Sequence, residues 1–173
     1  MTKDNLAFRQ ELVSLLPRLK RFAMALAGGR DAADDLLQSA VERALRKWDY
    51  FEEGKRLDSW MFKIMQNLWF DIRRAASAER WVSDDGVDIP GEDGRELVET
   101  REELRLAREA FAALPEEQRA VVALVVLEGF SYAAAADALE IPIGTVMSRL
   151  ARARGAMAAR ARGTTVMPVR KEK

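Results

Sequence analysis

The sequence predicts an all-α chain of two small helical domains, and three observations carry the prediction. Apolar residues recur at three- and four-residue steps through both ends of the chain. A stretch without period, rich in acids, Gly and Pro, separates those ends between Asp84 and Glu99. The C-terminal third reads as a short alanine-rich helix, a tight turn and a second helix with a polar face. The expected order is a helical domain over residues 5–80, a flexible acidic linker over 81–100, a helix-turn-helix domain over 101–162 and a disordered tail over 163–173.

The first periodic segment is Leu6 to Ala27. Leu12, Leu15, Leu16, Leu19, Phe22, Ala23 and Leu26 form one stripe. Pro17 predicts either a kink or a second helix start, because it supplies no N–H and crowds the preceding turn. Gly28-Gly29 closes the segment, since glycine accepts the left-handed conformation that follows a helix. Asp31 is then expected to start a helix, with Leu37, Ala40, Val41, Ala44, Leu45 and Trp48 inward. Asp34, Asp35, Gln38, Glu42, Arg46 and Lys47 cover its other side, as a solvated face or as a docking surface.

A loop over Asp49–Asp58 carries Tyr50 and Phe51 and is broken by Gly54. The next helix is expected from about Ser59 to Ala78, capped by Asp58 or Ser59. Its stripe is Trp60, Met61, Ile64, Met65, Leu68 and Ile72; its other face reads Lys63, Gln66, Asn67, Phe70, Arg73 and Arg74. Amide, aromatic and cations on one face are the parts that single-stranded DNA binding requires, since rings stack on unpaired bases and cations follow phosphates. A core Phe70 among solvated arginines has the same spacing.

Past the linker, Leu104, Ala107, Ala110, Phe111 and Leu114 keep helical step. Pro115-Glu116-Glu117 opens another helix in the favoured order, proline first and acids in the first turn. The eight apolar residues Ala120 to Leu127 are read as a helix buried nearly all round. Ser131 is expected to cap a short helix over Tyr132–Leu139, and Glu140-Ile141-Pro142 to turn the chain into a last helix from Ile143 or Gly144. In that last helix Val146, Leu150, Ala153 and Met157 share one face. Thr145, Ser148, Arg149 and Arg152, with Arg154, form the polar side. Short hydroxyls and guanidiniums suit a helix in the major groove, where Arg can donate two bonds to guanine. An amphipathic surface helix has the same periodicity.

Composition narrows the choice. The chain has 28 basic and 28 acidic residues, so its net charge is zero, but the charge is segregated. Residues 143–173 hold eight Lys/Arg against one acid, net +7; residues 84–103 hold nine acids against two arginines, net −7. A basic end fits a polyanion partner and an acidic middle fits a solvated connector. The absence of Cys and His removes disulfides, thiolate catalysis, zinc clusters and the usual neutral-pH base. No apolar run has the length of a membrane span, and the N-terminus reads as no signal peptide. The expectation is a cytoplasmic, non-enzymatic protein with no cofactor, no metal, no membrane and no small-molecule substrate.

The motifs carry a family likeness. Leu114-Pro115-Glu116-Glu117-Gln118-Arg119, Gly129-Phe130-Ser131-Tyr132, Gly144-Thr145-Val146-Met147-Ser148-Arg149-Leu150 and Arg152-Ala153-Arg154 resemble the C-terminal DNA-binding domain of extracytoplasmic-function sigma factors. Ala33-Asp34-Asp35-Leu36-Leu37-Gln38 and Ser59-Trp60-Met61-Phe62-Lys63-Ile64 with Asn67 resemble the family's other domain. The likeness spans all but the linker and tail and is nearest to the general-stress-response group. It implies a dissociable subunit that gives core RNA polymerase its promoter specificity. Asp35, Leu36, Gln38 and Arg43 would dock on polymerase. Asn67, with Phe51, would hold a base flipped out of the −10 element, while Lys63, Arg73 and Arg74 follow the strand. Thr145, Ser148, Arg149, Arg152 and Arg154 would read the −35 element as duplex. The implied partners are core polymerase, promoter DNA and an anti-sigma protein. Met147 departs from the Lys or Arg of many members, Ala151 from a bulky residue, and Trp69 adjoins the pocket expected around Asn67. A helix-turn-helix regulator acting without polymerase and a sigma mimic that sequesters an anti-sigma protein are the competing readings.

Overall fold

The computed structural model describes residues 5–52, 54–79 and 98–161 of the chain. Every regular element among them is helical. The tail and most of the expected linker lie outside the described residues; Val98 to Thr100 already belong to a helix.

The N-terminal half is a bundle of three helices, α1 (Asn5–Ala27), α2 (Arg30–Arg46) and α3 (Leu57–Glu79), each packed on the other two. α1 runs unbroken through Pro17, which lies on its exposed side, and buries Phe8, Leu12, Leu15, Leu19, Phe22, Ala23 and Leu26. Gly28, at φ 78, ends it. α2 starts at Arg30 with Gly29 as its N-cap and no side-chain cap, so Asp31 sits inside the first turn. There its carboxylate faces the positive end of the helix dipole.

The α2 stripe corrects the expectation by about one position. Ala33, Leu36, Ala40 and Ala44 are fully buried, Leu37, Val41 and Trp48 are half-buried, and Leu45 is exposed. Alanines at the line of closest approach let α2 come near α1 and α3, and the longer side chains pack beside that line. α3 begins two residues earlier than expected, with Asp58 accepting a 2.7 Å bond from the Ser59 N–H. It buries Leu57, Met61, Phe62, Ile64, Met65 and Trp69, while Ile72, expected inside, is exposed.

The C-terminal half comprises α4 (Val98–Ala112), α5 (Glu116–Val122), α6 (Tyr132–Leu139) and α7 (Ile143–Ala161). α7 packs on the other three. α5 widens into a π-type turn over Ala123–Leu127, closed by the Glu128 N–H donating to the Ala123 carbonyl at 2.9 Å. Val126 and Leu127 end up more than half exposed, so the apolar run is not buried all round. Ser131 caps α6, its Oγ accepting from the Ala134 N–H at 3.1 Å.

The two halves pack against each other. α3 lies on α6 and α1 on α5, and one apolar core runs through both halves. Phe62 meets Phe130 edge-on at 5.4 Å, and the Arg56 guanidinium lies 4.8 Å over the Phe130 ring. Arg119 of α5, buried, donates to the Ala25 and Leu26 carbonyls at 2.8 and 3.0 Å and to the Leu114 carbonyl at 2.8 Å. The carbonyls of a last helical turn have no partner within the helix, so this guanidinium caps α1 from the other half. Arg18 of α1 bridges Asp58 at 3.1 Å and Glu128 at 2.6 Å, and Arg21 joins Glu128 at 3.0 Å. No described helix is long and apolar enough to cross a membrane.

Candidate nucleic-acid interface

α7 is set on its neighbours by Val146, Leu150 and Ala153, all but fully buried. The Pro142 carbonyl accepts from the Thr145 N–H at 2.8 Å and starts the helix. The opposite side exposes Gly144, Met147, Ser148, Ala151 and Arg152, with Arg154 at one flank and Thr145 and Arg149 half-buried. Ser148 Oγ donates to the Thr145 carbonyl at 3.1 Å, and Arg152 donates to the Ser148 carbonyl and hydroxyl at 3.3 Å each. These are long, exposed bonds, readily exchanged for bonds to a base edge. Arg149 differs from Arg152: it is tied to Glu117 of α5 at 2.6 Å and only 19% exposed. Of the two, Arg152 is bonded only within its own helix among the described residues.

The second candidate face lies along α3. Lys63, Asn67, Phe70, Arg73 and Arg74 keep an exposed or half-exposed side. Gln66, expected among them, is buried, with its Oε1 unpartnered among the described residues. The face is covered in part by the other half. Lys63 Nζ lies 2.8 Å from Glu140 Oε1, and Asn67 Nδ2 donates to Glu140 Oε2 at 3.3 Å. Arg73 lies 3.3 Å from Glu116, whereas Arg74 pairs with Asp71 of its own helix, at 3.9 Å. The hydrogen bond to Glu140 raises the Lys63 ammonium, and the same bond holds the Glu140 carboxyl below the ordinary range. Burial pushes the Glu116 carboxyl up despite Arg73 beside it.

Phe51 does not join Asn67. It is half-buried in an aromatic cluster, 5.9 Å from Phe8 and 5.4 Å from Trp60. Trp60 precedes Asn67 by seven residues, about 10 Å along a helix. The free ring of that loop is Tyr50, 79% exposed. Asp35 and Gln38 are exposed on α2 and Arg43 is half-buried, with Gln38 donating to Glu42 at 3.1 Å. Leu36 faces the core and leaves the docking set, because no partner reaches a fully buried side chain. Sequence reasoning missed Glu140 and Glu116. The signal for Glu140 is an acid in a tight turn, at a helix end where Gly or Asn is the usual residue.

Known proteins match both halves. The family model "Sigma-70, region 4" matches residues 104–157, from α4 to most of α7. The model "Sigma2 domain of PhyR" matches residues 12–66, from α1 into α3. The ECF RNA polymerase sigma factor EcfG of Rhodopseudomonas palustris is 34% identical over 155 residues, covering 88% of this chain and 84% of that protein. The ECF RNA polymerase sigma factor SigM of Mycobacterium tuberculosis is 35% identical, covering 90% and 77%. Among solved structures, the sigma factor RpoE in complex with the anti-sigma factor NepR from Bartonella quintana superposes with TM-score 0.75 at 30% identity, over 92% of this chain and 98% of that one. The PhyRSL–NepR complex from Sphingomonas sp. Fr1 shares the fold, with TM-score 0.65 at 21% identity over 95% of both chains. Two helical halves in sigma order, matched by two sigma models and by relatives over 84% and 77% of their length, place this chain in the family of extracytoplasmic-function (ECF) RNA polymerase sigma factors.

Proposed function

We propose that this chain docks on core RNA polymerase through α2 and directs it to promoters, with α7 reading the −35 element as duplex and α3 capturing unpaired −10 bases. The observation that carries the reading is the division of α7. Three apolar side chains fix it to α4, α5 and α6, and Ser148, Arg152 and Met147 stand free on the outer side. In this reading residues 5–80 form region two and 101–162 form region four, joined by the acidic segment 81–100. Asp35, Gln38 and Arg43 meet polymerase in the cytoplasm. Asn67 holds a −10 base, and Lys63, Arg73 and Arg74 follow the strand. Thr145 and Arg154 flank the −35 readers. Met147, 52% exposed, offers an apolar contact of the kind that recognises a thymine methyl. Melting is driven by binding energy, with no nucleotide hydrolysis by this chain.

The likeness to EcfG and to RpoE solved with NepR supports membership of the general-stress-response group and regulation by a NepR-like anti-sigma partner. One finding favours a second reading. The N-terminal half matches a domain of PhyR, which is described in a solved complex as an anti-anti-sigma factor. A mimic of that kind binds the anti-sigma protein without needing to read DNA. Transcription by purified core polymerase on a promoter library, with and without this chain, separates the two. Initiation at a defined set of promoters is the expected outcome. No initiation, together with tight binding to a NepR-like protein, would establish the mimic. Asn67→Ala should impair open-complex formation more than initial duplex binding, and unchanged permanganate footprints would refute its −10 role.

A further inference from the structure

Glu140 is the one non-glycine residue with a positive φ, 53°, among the described residues. It occupies the left-handed position that ends α6, where a Cβ is unfavourable and glycine is the usual solution. The helix-turn-helix does not need a carboxylate there: the Glu140 and Ile141 N–H groups already close the helix on the Asp137 and Ala136 carbonyls. The side chain instead crosses to the other half of the chain. It holds Lys63 Nζ at 2.8 Å and Asn67 Nδ2 at 3.3 Å, one turn apart on α3. Two turns further along α3, Glu116 at the start of α5 sits 3.3 Å from Arg73. Two carboxylates from region four thus lie along the cation and amide face of region two, where the phosphates and base edges of a single strand would lie.

We propose that Glu140 is an intramolecular occupant of the −10 strand site, so that in the free chain the turn before α7 must leave α3 before unpaired DNA can bind there. This rests on the reading of α3 as the −10 face. Binding of the strand and departure of the turn are then one exchange: the Lys63 ammonium and the Asn67 amide release a carboxylate and take up the strand. The contact is built to be reversible. The Glu140 and Lys63 side chains are 50% and 43% exposed, so salt screens the pair. The firmer hold lies beneath, in Phe62 against Phe130 and in Arg119 on the end of α1. Glu140 therefore shifts the balance between closed and open chains, and the apolar contacts keep the closed chain compact. The same turn leads into α7, whose outer face is already exposed, so the latch bears on the α3 face alone.

The test uses the full chain without polymerase and Glu140→Gly, a change the backbone at φ 53 favours. The probe is a fluorescein-labelled single-stranded DNA 12-mer of random sequence at low salt. A weaker latch raises the fraction of chain competent to bind and lowers the apparent Kd by that factor. The expected gain is about two- to fivefold, the range that an exposed ion pair supplies. It should vanish in Lys63→Ala/Asn67→Ala, and Glu140→Gln should lie between. Dyes on the two halves report opening independently of DNA. No gain in binding and no opening in a folded Glu140→Gly chain would overturn the latch. Opening without any gain in binding would overturn the occupancy of a DNA site. The −10 reading is tested apart from both by open-complex formation with polymerase carrying Asn67→Ala, where a loss keeps that reading even if Glu140→Gly has no effect.

Discussion

The Arg119 guanidinium meets four carbonyls, those of Ala25 and Leu26 at the end of α1, that of Ala112 at the end of α4 and that of Leu114 in the α4–α5 connection. Burial lowers its pKa, yet it stays a cation, because four carbonyl oxygens replace the water it has lost. Removing it strands those acceptors in a dry interface. Arg119→Ala should therefore lower unfolding stability by about 2–4 kcal/mol in urea titration, and Arg119→Lys should recover only part, because one ammonium cannot span the fork. An unchanged urea midpoint in the alanine variant would mean that the α1 end is satisfied by water. On α7 the two arginines separate by partner. Arg152→Ala should relax discrimination at one base pair of the −35 element by about 1–3 kcal/mol, read by competition between promoter variants. Arg149→Ala should act through its pair with Glu117, on stability rather than on base preference. Equal weakening at every promoter by Arg152→Ala would reduce Arg152 to a phosphate contact. The spacing shows both arginines on one polar face; it does not show that a glutamate 32 residues earlier holds one of them.

At the scale of elements, local chemistry decided what could be read. α6 has the bounds expected from Ser131 before an alanine run, because an N-cap hydroxyl and a turn proline are local signals. Ser131→Ala should cost about 1 kcal/mol in thermal or urea unfolding. The loss should be absent in Ser131→Asp, which still accepts from the Ala134 N–H, and equal losses in the two variants would rule out capping as the cause. α2 shows the other case. Its alanines and its leucines satisfy the same period, and the choice between adjacent stripes is made by how closely α1 and α3 approach. That moved Leu36 from the docking face to the core. Phe51 is similar: whether a loop aromatic stacks on a base or on Phe8 and Trp60 depends on where α1 lies. The widening of α5 at Ala123–Leu127 has no counterpart in the periodicity, and it turns Val126 and Leu127 outward.

At the scale of the molecule, the halves were legible separately and their packing was not, since every contact between them joins residues far apart in sequence. Charge governs part of that packing and gives it a pH dependence whose sign follows from three carboxyls. Burial by itself would raise Asp58, but hydrogen bonds from Arg56, the Ser59 N–H and Arg18 outweigh it and hold it below the ordinary carboxylate range. Glu140 is held down by Lys63. Both contributions are complete above the ordinary range and are lost as pH falls through the lowered values. Glu116, raised by burial, works in the opposite direction: its ionised form opposes the fold, so acidification relieves that cost and offsets part of the loss. Asp58 dominates the balance, because it is nearly buried and anchors Arg18, which also holds Glu128 across the interface. Stability should therefore be flat from neutrality to about pH 5 and fall below about pH 4. Asp58→Asn keeps the shape but not the charge. It should cost about 1–3 kcal/mol at pH 7 and flatten the acid limb, so that wild type and variant converge in urea unfolding as pH falls through the lowered Asp58 value. Parallel curves at all pH values would show that the acid limb belongs to other carboxyls and that Arg18 holds the halves through Glu128 alone.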